Sequence, residues 1–191
     1  MKKSICSGYL IGLSSYIYST CDDKIIGSIL FGLGLLTICT FKLNLFTGQV
    51  GEIKIKDSHK FCKLILVFIF NTIGMAIAVG LFKFLPHIAV AGIVCGSLMQ
   101  IGVSLYFYHP WATVMCVAAF LLSGSNHCIA MLYNFDPMSV DYLWSLFIAI
   151  IGNAVGAKIV AILGVKRKEY TLHRQEENVD AQRQKSFPLQ I

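Results

Sequence analysis

The sequence predicts an all-α integral membrane protein, with six transmembrane helices forming an inverted three-plus-three repeat in which the second and fifth helices are broken. Three observations carry this expectation. The composition is too apolar for water, the apolar runs recur at membrane-spanning length, and two of them are interrupted by polar, glycine-bearing segments at matching places in the two halves of the chain.

Of 191 residues, 56% are hydrophobic and only 14% charged, and the mean hydropathy is +0.69. That balance lies well outside the range of a water-soluble domain of this size, so a lipid bilayer is the expected solvent for most of the chain. A hydrocarbon core of about 30 Å needs about 20 apolar residues per helix, which leaves room for about six spans joined by short loops. One bundle is expected, not two domains. The apolar runs place the spans near 5–20, 25–45, 61–82, 88–108, 111–134 and 141–163. Residues 1–165 are thus read as a transmembrane pore domain. Residues 166–191 are charged and polar, and read as a disordered cytoplasmic tail.

The first span imitates a signal peptide, because Met1-Lys2-Lys3 precedes an apolar stretch. It is read as retained. Gly8 and Gly12 suit helix packing, and removing the segment would leave an odd number of helices. Orientation follows from the basic residues. Lys2, Lys3, Lys54, Lys56, Lys60, Lys63 and Lys166-Arg167-Lys168 fall at the N-terminus, the second loop and the C-terminus, which share one side of a six-span arrangement. The opposite loops hold Asp22, Asp23, Lys24, Lys83, His87, Asp136 and Asp141, with little positive bias. Both termini are therefore expected in the cytoplasm, with the protein in the plasma or inner membrane. Because the net charge of +6 sits at span ends and in the tail, no nucleic-acid partner is expected. The seven cysteines form no C-x-x-C pair and no metal-ligand spacing, so no metal and no cofactor are expected.

The breaks carry the chemistry. Thr40-Phe41-Lys42-Leu43-Asn44-Leu45-Phe46-Thr47-Gly48-Gln49 ends the second span, and Ser123-Gly124-Ser125-Asn126-His127 interrupts the fifth. Irregular backbone at membrane depth is tolerated only where protein buries it or where it lines a water-filled cavity. One such helix in each half points to a central transport site. Each break precedes an N-x-x-G helix: Asn71-Thr72-Ile73-Gly74 in the third span and Asn153-Ala154-Val155-Gly156 in the sixth. Three spans are an odd number, so a second copy must enter the membrane upside down, which brings the two breaks together near the midplane.

At these residues the chain resembles the formate/nitrite transporter family. The resemblance rests on Phe31, Gly34-Leu35 and Leu45-Phe46-Thr47-Gly48 for the second helix, and on Phe120 and Gly124-Ser125-Asn126-His127-Cys128 for the fifth. Gly152-Asn153, and Asn71 preceded by Phe70, match the family's Gly-Asn pairs, so nearly the whole membrane domain is covered. The resemblance implies an aquaporin-like protomer with its own pore, assembled as a homopentamer. It also implies apolar constrictions, placed by position at Phe31, Leu35, Leu45 and Phe120, and a pore centre of His127, Asn126 and Thr47, the threonine of the moving loop. The chain departs from the family in having Asn126 and Asn44 where glutamates are usual, Cys95-Gly96 for a Cys-Asn pair, and no amphipathic N-terminal helix. These departures leave the transported species open.

The expected function is passage of small monovalent anions or their conjugate acids, such as formate, nitrite or hydrosulfide, and not enzymatic catalysis. A bare anion is costly to desolvate between Phe and Leu, whereas the uncharged acid crosses more easily. His127 is the candidate proton donor or neutral hydrogen-bonding gate; the plainer alternative is a histidine satisfied by a backbone carbonyl. Lys42 and Lys83 are candidates for attracting the anion, against snorkelling and interfacial anchoring respectively. Thr47 and Asn126 could equally cap broken helices. Two rivals come from other classes. One is an intramembrane hydrolase using Ser123 or Ser125 with His127 or His109, which lacks an acid to orient the imidazole; the other is a non-conducting assembly protein.

Overall fold

The computed structural model describes residues 1–52 and 58–166, and helix is the only regular secondary structure among them, with no strand. The order is α1 (Lys2–Thr20), α2 (Lys24–Thr40), the short α3 (Phe46–Gln49) running into a 3-10 turn (Val50–Glu52), α4 (Ser58–Phe84), α5 (His87–Leu105), α6 (Pro110–Leu122), the short α7 (Cys128–Met131) with its own 3-10 turn (Leu132–Asn134), and α8 (Val140–Leu163). Local chemistry sets several ends. The Asp23 carboxylate accepts from the Ile25 and Ile26 amides at 2.8 and 3.1 Å and starts α2. Ser139 does the same for α8, and Pro110 opens α6 at a position where its missing N–H costs nothing. Lys54, Lys56, Arg167 and Lys168, used above to read orientation, lie outside the described residues, as does the tail beyond Lys166.

Among the described residues, three helices are long and apolar enough to cross a membrane: His59–Phe84, His87–Leu105 and Val140–Leu163. Lys24–Thr40 and Pro110–Leu122 are apolar but shorter, since each stops at an interruption. α1 has 19 residues but is not among the three, since Lys2, Lys3, five serines and three tyrosines dilute its apolar residues. Three uninterrupted apolar helices, where the sequence suggests six spans, make the chain compatible with a membrane protein.

The bundle is built around α1 and α5. Of the most apolar stretch of α5, 72% is buried, against 17% for α4 and 22% for α8, so the last two lie outside. Their outer faces leave Phe61, Leu66 and Phe68, and Trp144, Phe147 and Ile162, exposed. In water such a surface drives association; against acyl chains it costs nothing.

Each inner helix meets its outer one backbone to backbone. A side chain at Gly8 would strike the Asn71 carbonyl, and one at Gly74 would strike that of Ile5. The second pair repeats the pattern, Gly96 against the Asn153 carbonyl and Gly156 against that of Ile93. Small residues at such crossings allow the close approach that dispersion needs, because lipid gives helices no hydrophobic reason to associate. The contacts Gly8 to Asn71, Gly12 to Ala78 and Tyr16 to Phe82 advance together, so α1 and α4 run in the same direction. Between the two pairs, the Tyr9 hydroxyl and Ser97 Oγ share a hydrogen bond of 3.0 Å in full burial.

Candidate functional site: the two helix breaks

Both breaks have the same construction. At the end of α2 the Lys42 amide donates to the Cys39 carbonyl at 3.2 Å and the Leu43 amide to that of Ile38 at 2.9 Å. At the end of α6 the Gly124 amide donates to Leu121 at 3.2 Å and the Ser125 amide to Phe120 at 2.9 Å. This is the Schellman arrangement, which needs a left-handed residue after the helix. Lys42 and Gly124 supply it, with φ of 49° and 65°. Three residues further on the chain is extended, at Leu45 and His127, and each of these precedes the first residue of a short helix.

One asparagine holds each break. The Asn71 carboxamide accepts from the Phe46 amide at 2.9 Å and donates to the Asn44 carbonyl at 3.0 Å and to that of Ser4 at 2.7 Å. Asn153 accepts from the Cys128 amide at 3.1 Å and donates to the Asn126 and Gly92 carbonyls at 2.9 and 3.0 Å. A broken helix exposes amides and carbonyls that lipid cannot satisfy, and a carboxamide offers both an acceptor and two donors for them. The N-x-x-G echo in the sequence therefore encodes two jobs: the asparagine binds the break, and the glycine lets the inner helix come close enough to be bound as well.

His127 caps α7. Its Nδ1 accepts from the Ala130 amide at 3.4 Å, which needs a lone pair there and leaves the ring proton on Nε2. The Phe120 ring stands 5.9 Å away, tilted by 37°. Phe120 and His127, assigned separately from the sequence as constriction and pore centre, thus form one unit. His127 is also the counterpart of Leu45, since each is the extended residue opening its short helix. Asn126 contributes backbone: its amide donates to the Ala91 carbonyl at 3.3 Å and its carbonyl accepts from Asn153.

The other candidates lie in separate places. Leu45 and Thr47 line a cavity of about 260 Å³ together with Asn71, Gly8 and Met75. Phe31 borders a hollow of about 290 Å³ with Tyr18 and Ser28. Lys83 borders a third, of about 400 Å³, with Ser15, Tyr16 and Ser19. Leu35 is exposed on α2. Lys42 is exposed at its break, and its carbonyl accepts from Lys3 Nζ at 3.4 Å. Ser123 and Ser125 are buried and hydrogen-bonded to each other at 2.8 Å, and Ser123 also donates to the Phe120 carbonyl at 3.2 Å. Both hydroxyls thus serve the break. No group of three or more potential metal ligands occurs among the described residues. Sequence reading gave no role at the site to Asn71 and Asn153, which it used only as marks of the repeat, nor to Gln49, whose amide donates to Asn44 Oδ1 at 3.2 Å and ties α3 back to its break.

No family model, curated protein or solved structure matches the chain.

Proposed function

We propose that the chain is a membrane channel or transporter of the formate/nitrite type, passing small monovalent anions or their conjugate acids, with both termini in the cytoplasm of a cell whose plasma or inner membrane it spans. The observation that carries this reading is the pair of helix breaks, each bound by one asparagine through the same acceptor and two donor bonds. On this reading α2 with α3, and α6 with α7, are two broken spans completing six, and the halves form an inverted aquaporin-like repeat about an axis near Tyr9 and Ser97. Such pairs of discontinuous helices surround the substrate in transporters built from inverted repeats.

The chemistry follows from what stands beside the second break. Phe120 offers no polar group to replace the hydration of an anion, so a naked charge is opposed there. His127, with the proton on Nε2, can donate a hydrogen bond to the passing oxyanion or exchange a proton with it. Phe31, Leu35 and Leu45 would narrow the path elsewhere, Thr47 would offer a hydroxyl, and Lys42 and Lys83 would raise the local anion concentration. The assembly is a homopentamer with one path in each protomer.

The test is flux. Purified protein in liposomes, given formate, nitrite, hydrosulfide and lactate across imposed pH gradients, should pass at least one of them faster than empty liposomes do. Rates equal to those of empty liposomes for all four would end the transport reading.

A further inference from the structure

The two breaks lie on opposite sides of the level at which the halves touch. The first is bound to the Ser4 carbonyl, five residues before Tyr9, and the second to the Gly92 carbonyl, five residues before Ser97, through Asn71 and Asn153. Five residues of helix are roughly 7 Å. α4 runs with α1 and ends about 20 Å beyond Asn71, at about 1.5 Å per residue. α5 begins after only two more residues and comes back about 15 Å to set Ser97 beside Tyr9. It therefore runs against α1. The first break lies toward the end of the bundle where the chain starts, the near face, and the second toward the opposite end, the far face.

The breaks also differ in what they carry. His127 has Leu45 as its counterpart, and Phe120 has Ile38. Residues 38–49 contain no imidazole and no carboxyl. The contacts of Gly102 with Cys116 and of Ala91 with Asn126 show that α6 runs against α5. Phe120 thus precedes the second break on its near side, buried, with its ring 5.9 Å from the imidazole. Further toward the near face, Tyr9 and Ser97 are fully buried. On the far side, Ile129, Ala130 and Tyr133 are exposed. The titratable groups on the elements packed against His127 are Cys116 on α6, Cys128 on α7, His87 and Cys95 on α5, and Asp141, Tyr142 and Lys158 on α8; His87 and Asp141 are exposed at the far end.

We infer that His127 exchanges protons with the solution on the far face only, so that pH on that face governs the path and pH on the near face does not. A proton from that solution adds at Nδ1, displacing the bond from the Ala130 amide, and the ring then gives its Nε2 proton to a passing oxyanion. The consequence for transport rests on the reading above; the one-sided access of the imidazole does not.

The full chain is placed in liposomes at low protein density, and vesicles with the N-terminus outward are collected through an N-terminal tag. Diethyl pyrocarbonate, which crosses the bilayer and acylates only neutral imidazole, is added with pH set separately on each face, and the extent of reaction at each histidine is read from peptide masses. His59, exposed at the start of α4, reports the near face, and His87, exposed at the start of α5, reports the far one. Stepping the far-face pH from about 5.5 to about 7.5 should speed reaction at His127 about tenfold, the change in the neutral fraction of an imidazole over that range. The same step on the near face should leave it unchanged. A His127 rate that follows His59, that responds to both faces, or that stays at zero while His59 and His87 react, would overturn the inference. No flux is read, so absent transport leaves this result standing, and a His127 that follows the wrong face leaves transport standing.

Discussion

Lys42 holds a backbone conformation that costs a side-chain-bearing residue about 1–2 kcal/mol and glycine almost nothing. Its counterpart at the second break is Gly124, at a similar φ. Lys42→Gly should therefore raise stability by about 1 kcal/mol, read as a higher thermal midpoint in detergent. Lys42→Met leaves the backbone cost in place and removes only the charge. If the ammonium gathers anions, this variant should lower flux at low substrate concentration and leave saturating flux alone; equal flux at every concentration would instead identify a snorkelling lysine. His127→Phe should abolish the pH dependence of transport without dissolving the oligomer, and unchanged pH dependence would remove His127 as proton donor. The sequence singled out both residues because a charge or an imidazole is out of place in an apolar run. It did not show that His127 and Leu45 occupy equivalent positions, because a polar and an apolar side chain share no pattern; only the backbone relates them.

At the scale of the elements, the asparagines are positioning residues. Asn153→Leu keeps the volume, removes three hydrogen bonds and leaves the Cys128 amide and the Asn126 and Gly92 carbonyls without that partner. Loss of about 2–4 kcal/mol is expected on thermal unfolding. Asn153→Asp keeps the acceptor for the Cys128 amide but turns an acceptor oxygen towards the Asn126 and Gly92 carbonyls, so it should be no more stable than the Leu variant; an Asp variant as stable as the unaltered chain would show that the two donor bonds contribute nothing. The breaks themselves were legible in the sequence, and their polar residues and glycines marked the ends of α2 and α6 closely. The partner of each break was less so. Asn71 and Asn153 stand far along the chain from the groups they bind, and spacing alone does not reveal which carbonyls a carboxamide reaches.

For the molecule as a whole, the halves meet at Tyr9 and Ser97, both fully buried. Ser97 Oγ also lies 3.3 Å from the Gly156 carbonyl, so Tyr9→Phe leaves it one partner. The cost should be about 1 kcal/mol of thermal stability, with no change of oligomeric mass. A larger loss, or a change in mass, would mean that this bond fixes the packing of the halves and does more than add to it. The exposed apolar faces of α4 and α8 call for an apolar surround, and extraction should require detergent.

By itself the sequence determined an all-helical, lipid-suited chain with two interruptions and an N-x-x-G helix after each, because hydropathy and helix-breaking chemistry are local properties. The tertiary structure alone decided that each asparagine closes its break by the same three bonds and that Phe120 lies against His127. Those outcomes depend on which backbones the glycines allow to touch, and that is a relation between distant segments.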